Sequence, residues 1–147
     1  MKAALSALAV FGLFLPAVSN AAQITATGSI SHSCSIDPVS NVALTTSDNI
    51  QLTGSTSLNM TQNASTQWTL EHLNDLEPSG EVVTSTFDVQ GLSGELFTSG
   101  VGDTDTLSIA GSGTYTPTLN IRIDDAAGQV LKAGTYTTVA SLTCVAN

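Results

Sequence analysis

Residues 24–37 read Ile24-Thr25-Ala26-Thr27-Gly28-Ser29-Ile30-Ser31-His32-Ser33-Cys34-Ser35-Ile36-Asp37. Ile24, Ala26, Gly28, Ile30, His32, Cys34 and Ile36 share one side of an extended chain, and Thr25 through Asp37 at odd numbers share the other. Strict period two is the pattern of a half-buried strand, because successive side chains of extended backbone point to opposite faces. Pro38 ends it, having no N–H to give a ladder. The apolar side of this stretch is small: Ala26 and Gly28 stand between Ile24 and Ile30. Glycine inside a strand costs stability and often marks close approach to another backbone. A frayed terminal strand gains little from such a pattern. A strand inserted into a narrow groove gains much.

Upstream, Met1 to Ala21 reads as a secretory signal peptide. Lys2 is a minimal basic start, Ala3 to Leu15 is apolar apart from Ser6, and Ser19-Asn20-Ala21 offers small residues for cleavage before Ala22. A membrane anchor is the rival reading, but the apolar run is short of the roughly 20 residues a span needs. Cleavage places the first strand within about two residues of the new N-terminus and leaves about 126 residues. That length suits one domain.

Downstream, further short segments are predicted as strands: 49–52, 57–61, 66–73, 81–90, 105–110, 114–124 and 135–145. Trp68, Leu70 and His72 share one face; Val83, Ser85, Phe87 and Val89 share another. Turn signals separate them, such as Glu77-Pro78-Ser79-Gly80 and Gly111-Ser112-Gly113. No heptad or amphipathic helix competes. Seven or eight short strands predict an all-β fold, a β-sandwich with a jelly roll or small barrel as the alternative.

Composition agrees with export and with β structure. Thr (21) and Ser (18) are abundant and only 10% of residues are charged, a poor mix for helices. The formal charge is −9, and loss of Lys2 with the leader leaves Arg122 and Lys132 against twelve carboxylates, a charge of −10. So few cations argue against a nucleic-acid partner, whose phosphates require clustered Lys and Arg. They also disfavour attachment to anionic lipid.

Cys34 and Cys144 are the two cysteines. In an exported protein an even count suggests a disulfide, here with a single intramolecular pairing; two buried free thiols are the alternative. A metal site is disfavoured, since two cysteines without nearby histidine are a poor ligand set.

The remaining motifs have bland readings. No nucleophile has a recognisable His/Asp setting around it, and His32 and His72 read as structural or solvated, so no enzyme is expected. The pairs Asp103/Asp105 and Asp124/Asp125 lack a full calcium ligand set and read as turn residues. Asn59-Met60-Thr61 and Asn63-Ala64-Ser65 match the glycosylation pattern, which is normally idle in a bacterial exported protein. Trp68 reads as core rather than as a sugar-stacking platform.

With these residues in view, the chain resembles a structural subunit of chaperone–usher pili (fimbriae), in the spore coat protein U-like or colonisation-factor-like branch. The resemblance rests on the leader and the alternating segment Ile24 to Ile30, on a Thr/Ser/Gly-rich β domain of matching size, and on Lys132-Ala133-Gly134-Thr135-Tyr136-Thr137-Thr138-Val139 before the last strand. Specific matches cover only the two ends.

The resemblance implies an incomplete immunoglobulin-like β-sandwich. Its missing strand is supplied first by a periplasmic chaperone and then by the N-terminal extension of another subunit, with an outer-membrane usher and the cell surface as the route. It implies a layout of signal peptide 1–21, donor-strand extension 22–33 and pilin-like domain 34–147. Ile24, Ala26, Gly28 and Ile30 become the donor side chains, and Tyr136, Val139 and Leu142 part of the acceptor groove. No cofactor is implied. The cysteines depart from the family habit of bridging the first strand to the second. In a sandwich whose first and last strands run oppositely, Cys34 and Cys144 share a pole, and a bridge there clamps one end of the groove. A monomeric secreted β-sandwich, as adhesin or carbohydrate-binding module, is the competing function.

Overall fold

The structure is a computed structural model, and it describes residues 26–37, 39 and 41–146. The expected signal peptide and Ile24 lie outside these residues. The chain divides into a short N-terminal unit ending at Ile30 and a main unit from Ser31 onward. In the N-terminal unit, Ala26–Ile30 form no strand and are exposed, Ile30 at 86%.

The main unit is all-β, with no helix among the described residues. Its strands are β1 (Cys34–Ile36), β2 (Gln51–Ser57), β3 (Met60–Gln62), β4 (Thr66–Leu76), β5 (Val83–Gln90), β6 (Leu96–Ser99), β7 (Thr104–Ile109), β8 (Gly113–Tyr115), β9 (Thr118–Asp125) and β10 (Thr137–Ala146). They form three antiparallel sheets, ordered β2-β9-β5-β6, β10-β4-β7 and β1-β3-β8. No helix among the described residues is long and apolar enough to cross a membrane.

Alternation sets what each strand buries. On β4, Trp68, Leu70 and His72 are within 2% of full burial, and on β5 Ser85, Phe87 and Val89 are within 3%. Leu96 of β6, Ile109 of β7 and Ile121 of β9 join them, with Leu58 and Met60 from the β2–β3 region. Residues of the β2-β9-β5-β6 sheet and the β10-β4-β7 sheet therefore share one core, consistent with a β-sandwich. Trp68 is core, and its indole N–H donates to Gln62 Oε1 at 2.9 Å.

Three local outcomes differ from the sequence expectation. Among its described residues, the alternating stretch is strand only at Cys34–Ile36, where β3 offers a partner. The expected strand 114–124 splits into β8 and β9 at Pro117, which has no N–H for a ladder and whose carbonyl accepts the Leu58 N–H at 2.9 Å. β6 is an additional strand, only four residues long, between Gly94 and Gly100.

One seam between the two larger sheets is stitched by carboxylates. The N–H of Phe97 on β6 donates to Asp105 Oδ2 at 2.9 Å, and the N–H of Ser99 donates to Asp103 Oδ2 at 2.8 Å. The second oxygens accept from Thr106 and Thr104, at 2.8 and 3.0 Å. Gly100 and Gly102, at φ 91° and 87°, make the turn that brings β7 beside β6. These aspartates act as turn and edge residues, as their pattern suggested.

Candidate functional site

Among the described residues, the opposite seam is open. β10 pairs with β4 from Thr137 to Ala146, but no strand lies on its other edge among the described residues. β2 is the facing edge of the neighbouring sheet, and beyond β9 it meets, among the described residues, only the isolated bridge Thr45↔Thr53. Between these edges lies a groove of about 1090 Å³.

Apolar side chains build the groove. Leu70, Phe87, Val89 and Ile121 reach it from the core. Val42 and Leu44 line it from the segment before β2, and Ala140 and Leu142 line it from β10. Among the described residues, Asp37 and Lys132 are the only charged ones in the lining. Such a cavity rewards apolar side chains on an occupant. The free N–H and C=O groups of β10 reward an occupant in extended conformation.

Each end of the groove has its own chemistry. At one end Cys34 of β1 is disulfide-bonded to Cys144 of β10, with Cα atoms 6.3 Å apart. The lining starts two residues inward on each strand, at Ile36 and Leu142. Toward the other end, the Leu131 N–H donates to the Asn49 carbonyl at 2.8 Å, and the Tyr136 hydroxyl donates to the Lys132 carbonyl at 2.8 Å. The Lys132 ammonium donates to the Gly80 carbonyl and lies 3.2 Å from Glu81 Oε2, whose side chain is buried. Burial, and next the Glu81 carboxylate, holds the Tyr136 phenol above its usual 10.0.

Beneath Thr138, a bulge between Val139 and Ala140 reorders the alternation of β4 against β10. Asp75 consequently shares a side with His72 although three residues separate them. His72 Nε2 lies 2.9 Å from Asp75 Oδ1 and 3.2 Å from Thr138 Oγ1, and its ring meets Phe87 edge-on at 5.0 Å. His72 is fully buried and serves packing here.

Tyr136, Val139 and Leu142 all line the groove. Val39, Val42 and Leu44 line it too and were missed, because the stretch 39–46 carries only two alternating apolar residues after Pro38, too few for a strand signal. Of the four residues expected to donate, Ala26, Gly28 and Ile30 are exposed, and Ile24 lies outside the described residues. A Cβ added at Gly28 would meet nothing within 4 Å.

A second cleft lies on the outer face of the four-stranded sheet. It is lined by Ser55, Asp88, Asn120 and Arg122 beside the half-exposed ring of Phe97. Among the described residues, no cluster of three or more His, Cys, Asp or Glu could hold a metal ion. In comparisons with known proteins, no family model matches the chain and no curated protein matches it significantly.

Proposed function

We propose that this protein is a structural, non-catalytic subunit of a bacterial surface pilus, assembled by strand addition after chaperone-assisted export. The carrying observation is the apolar groove beside the unpaired edge of β10, in a chain that also holds the alternating segment Ile24–Ile30. The groove has the two features such a segment recognises: free backbone groups for a ladder and apolar depressions for alternate side chains.

Strand order supports the reading. Immunoglobulin-type sandwiches place strands A, B, E, D in one sheet and C, F, G in the other. Here β2-β9-β5 follow the order B-E-D, the residues around Thr45 stand beside β2 as A stands beside B, and β10-β4 follow F-C. The position of G, beside β10, has no strand among the described residues. The disulfide suits an exported protein.

The test is gel electrophoresis of the purified exported protein with and without boiling. Ladders that resist SDS and collapse on heating are expected. A concentration-independent monomer would instead favour a secreted binding module. The specific feature behind that second reading is the outer cleft, where Phe97 offers a ring for sugar stacking and Asp88, Asn120 and Arg122 offer polar partners. Binding of neutral oligosaccharides, lost on Phe97→Ala, is the result it requires.

A further inference from the structure

The outer face of the four-stranded sheet carries a row of side chains that the groove does not use. Across β2, β9, β5 and β6 the register sets Ser55, Asn120, Asp88 and Phe97 side by side. Neighbouring strands lie ~4.8 Å apart, so the row offers a hydroxyl, an amide, a carboxylate and an aromatic ring at regular steps. The next row on the same face holds Thr53, Arg122 and Thr86. Both rows line the outer cleft, whose volume is about 730 Å³. Alternation keeps this face apart from the groove, which takes Leu119 from β9 and Val89 from β5.

Asp88 is the unusual member. Its Oδ2 accepts from the Gln90 side-chain amide, and its Oδ1 is shielded from solvent with no hydrogen-bond partner among the described residues. A shielded carboxylate oxygen without a partner is costly. No described cation pairs with it: Arg122 Nε donates to Asp124 Oδ2, and Lys132 pairs with Glu81. The half-exposed ring of Phe97 stands opposite Asp88 on the neighbouring strand. A carboxylate beside an aromatic ring favours a cation twice, by its charge and through the negative face of the ring. The formal charge of −9 adds a long-range field of the same sign.

We infer that the outer cleft binds an oligosaccharide of amino sugars whose amines are free and charged. The ammonium group pairs with the Asp88 carboxylate, and a pyranose ring lies on Phe97. Turning the carboxylate about χ2, a soft torsion, brings its two oxygens to the cleft in turn. Ser55, Asn120, Thr53 and Thr86 meet the hydroxyl groups of the sugar, which a simple amine would leave unused. The inference rests on the carbohydrate reading of this cleft and changes its ligand from neutral to cationic. Because cleft and groove lie on opposite faces of the sheet, it holds beside strand addition as well.

The test is isothermal titration in mildly acidic solution, where an amine of this kind is charged, with a glucosamine trimer and with its N-acetylated counterpart. The free-amine trimer is expected to bind at least about tenfold more tightly, because acetylation removes the charge and leaves the rings and hydroxyls in place. Equal binding of the two overturns the inference and leaves the neutral-sugar reading standing. Binding of neither overturns both, while the SDS-resistant ladder judges strand addition separately.

Two variants locate the site. Asp88→Asn keeps the shape of the side chain and should weaken the free-amine trimer by about tenfold, leaving the N-acetylated one unchanged. Glu71→Gln removes an exposed charge from β4, in the other sheet, and should leave both affinities within about twofold. Equal losses in the two variants, or trilysine binding as tightly as the free-amine trimer, would mean attraction by net charge alone and overturn the inference. Should Asp88→Asn not fold, the two sugars and trilysine on the unaltered protein still decide.

Discussion

The indole N–H of Trp68 donates to Oε1 of Gln62 at 2.9 Å, and both side chains are within 2% of full burial. The Gln62 amide completes its bonding by donating to the carbonyls of Ile109 and Gly111, at 3.1 and 2.9 Å. One amide thus ties β3 to β4 and to the end of β7. Gln62→Ala strands two buried polar groups, the Trp68 indole N–H and the Ile109 carbonyl, at a cost of roughly 2–4 kcal/mol. Urea unfolding should show the midpoint lowered with an unchanged slope. A loss below about 0.5 kcal/mol would mean that water replaces the amide without penalty.

The disulfide closes a span of 110 residues. The chain-entropy model gives about 4.7 kcal/mol for a loop near that length. Cys34→Ser/Cys144→Ser should therefore lose about 4–5 kcal/mol, seen in denaturant unfolding with and without reductant. Equal stability in both conditions would show that the bridge does not constrain the unfolded chain.

Gly54 and Gly28 should behave oppositely. A Cβ at Gly54 would lie 2.7 Å from the Ala43 carbonyl oxygen and 2.8 Å from Leu44 Cδ2. Gly54→Ala must push the Val42–Leu44 wall of the groove outward, costing about 1–3 kcal/mol in thermal unfolding.

A Cβ at Gly28 meets no neighbour within 4 Å, and Gly28→Leu should leave the fold unchanged. Under the strand-addition reading it should abolish the SDS-resistant ladder, because a shallow part of the groove cannot take the larger side chain. Undiminished ladders would rule Gly28 out as a donor position.

Asp125 provides a pH test. Hydrogen bonds from the N–H groups of Gln129 and Ala127 hold its carboxyl below the usual 3.8, against the opposing effect of desolvation. Folded-state pKa below unfolded-state pKa means stabilisation above the unfolded value, lost as pH falls through the folded one. Wild type should lose stability relative to Asp125→Asn as pH drops below about 3.8. Parallel pH profiles for the two would show that the turn does not prefer the charged form.

Much of the β structure could be read along the chain, because a strand with one buried face writes its period into consecutive residues. Trp68, Leu70 and His72 on β4, and Ser85, Phe87 and Val89 on β5, are buried as their alternation indicates. Four-residue β6 escaped, since Leu96–Ser99 is too short to display a period. The bulge that turns Asp75 toward His72 escaped as well, because it arises from the register of β4 on β10 and not from either strand alone.

The groove divides in the same way. Tyr136, Val139 and Leu142 line it, but they were named through the family resemblance and not from a period in the strand. Val42 and Leu44 were not, since their place in the wall depends on the approach of their segment to Gly54.

By itself, the sequence determined that this is a sparsely charged β protein with a small-sided alternating segment at 24–30 and a single way to pair its cysteines within the chain. These are properties of composition and of neighbours along the chain. Only the tertiary structure decided that one seam is stitched by Asp103 and Asp105 while the other, among the described residues, stands open. It alone set the 6.3 Å gap at Cys34 and Cys144 and seated Asn63 against Ser31 and Ser33. The physical reason is that an edge is defined by what fails to pair with it, and pairing between strands far apart in sequence leaves no local trace in either strand.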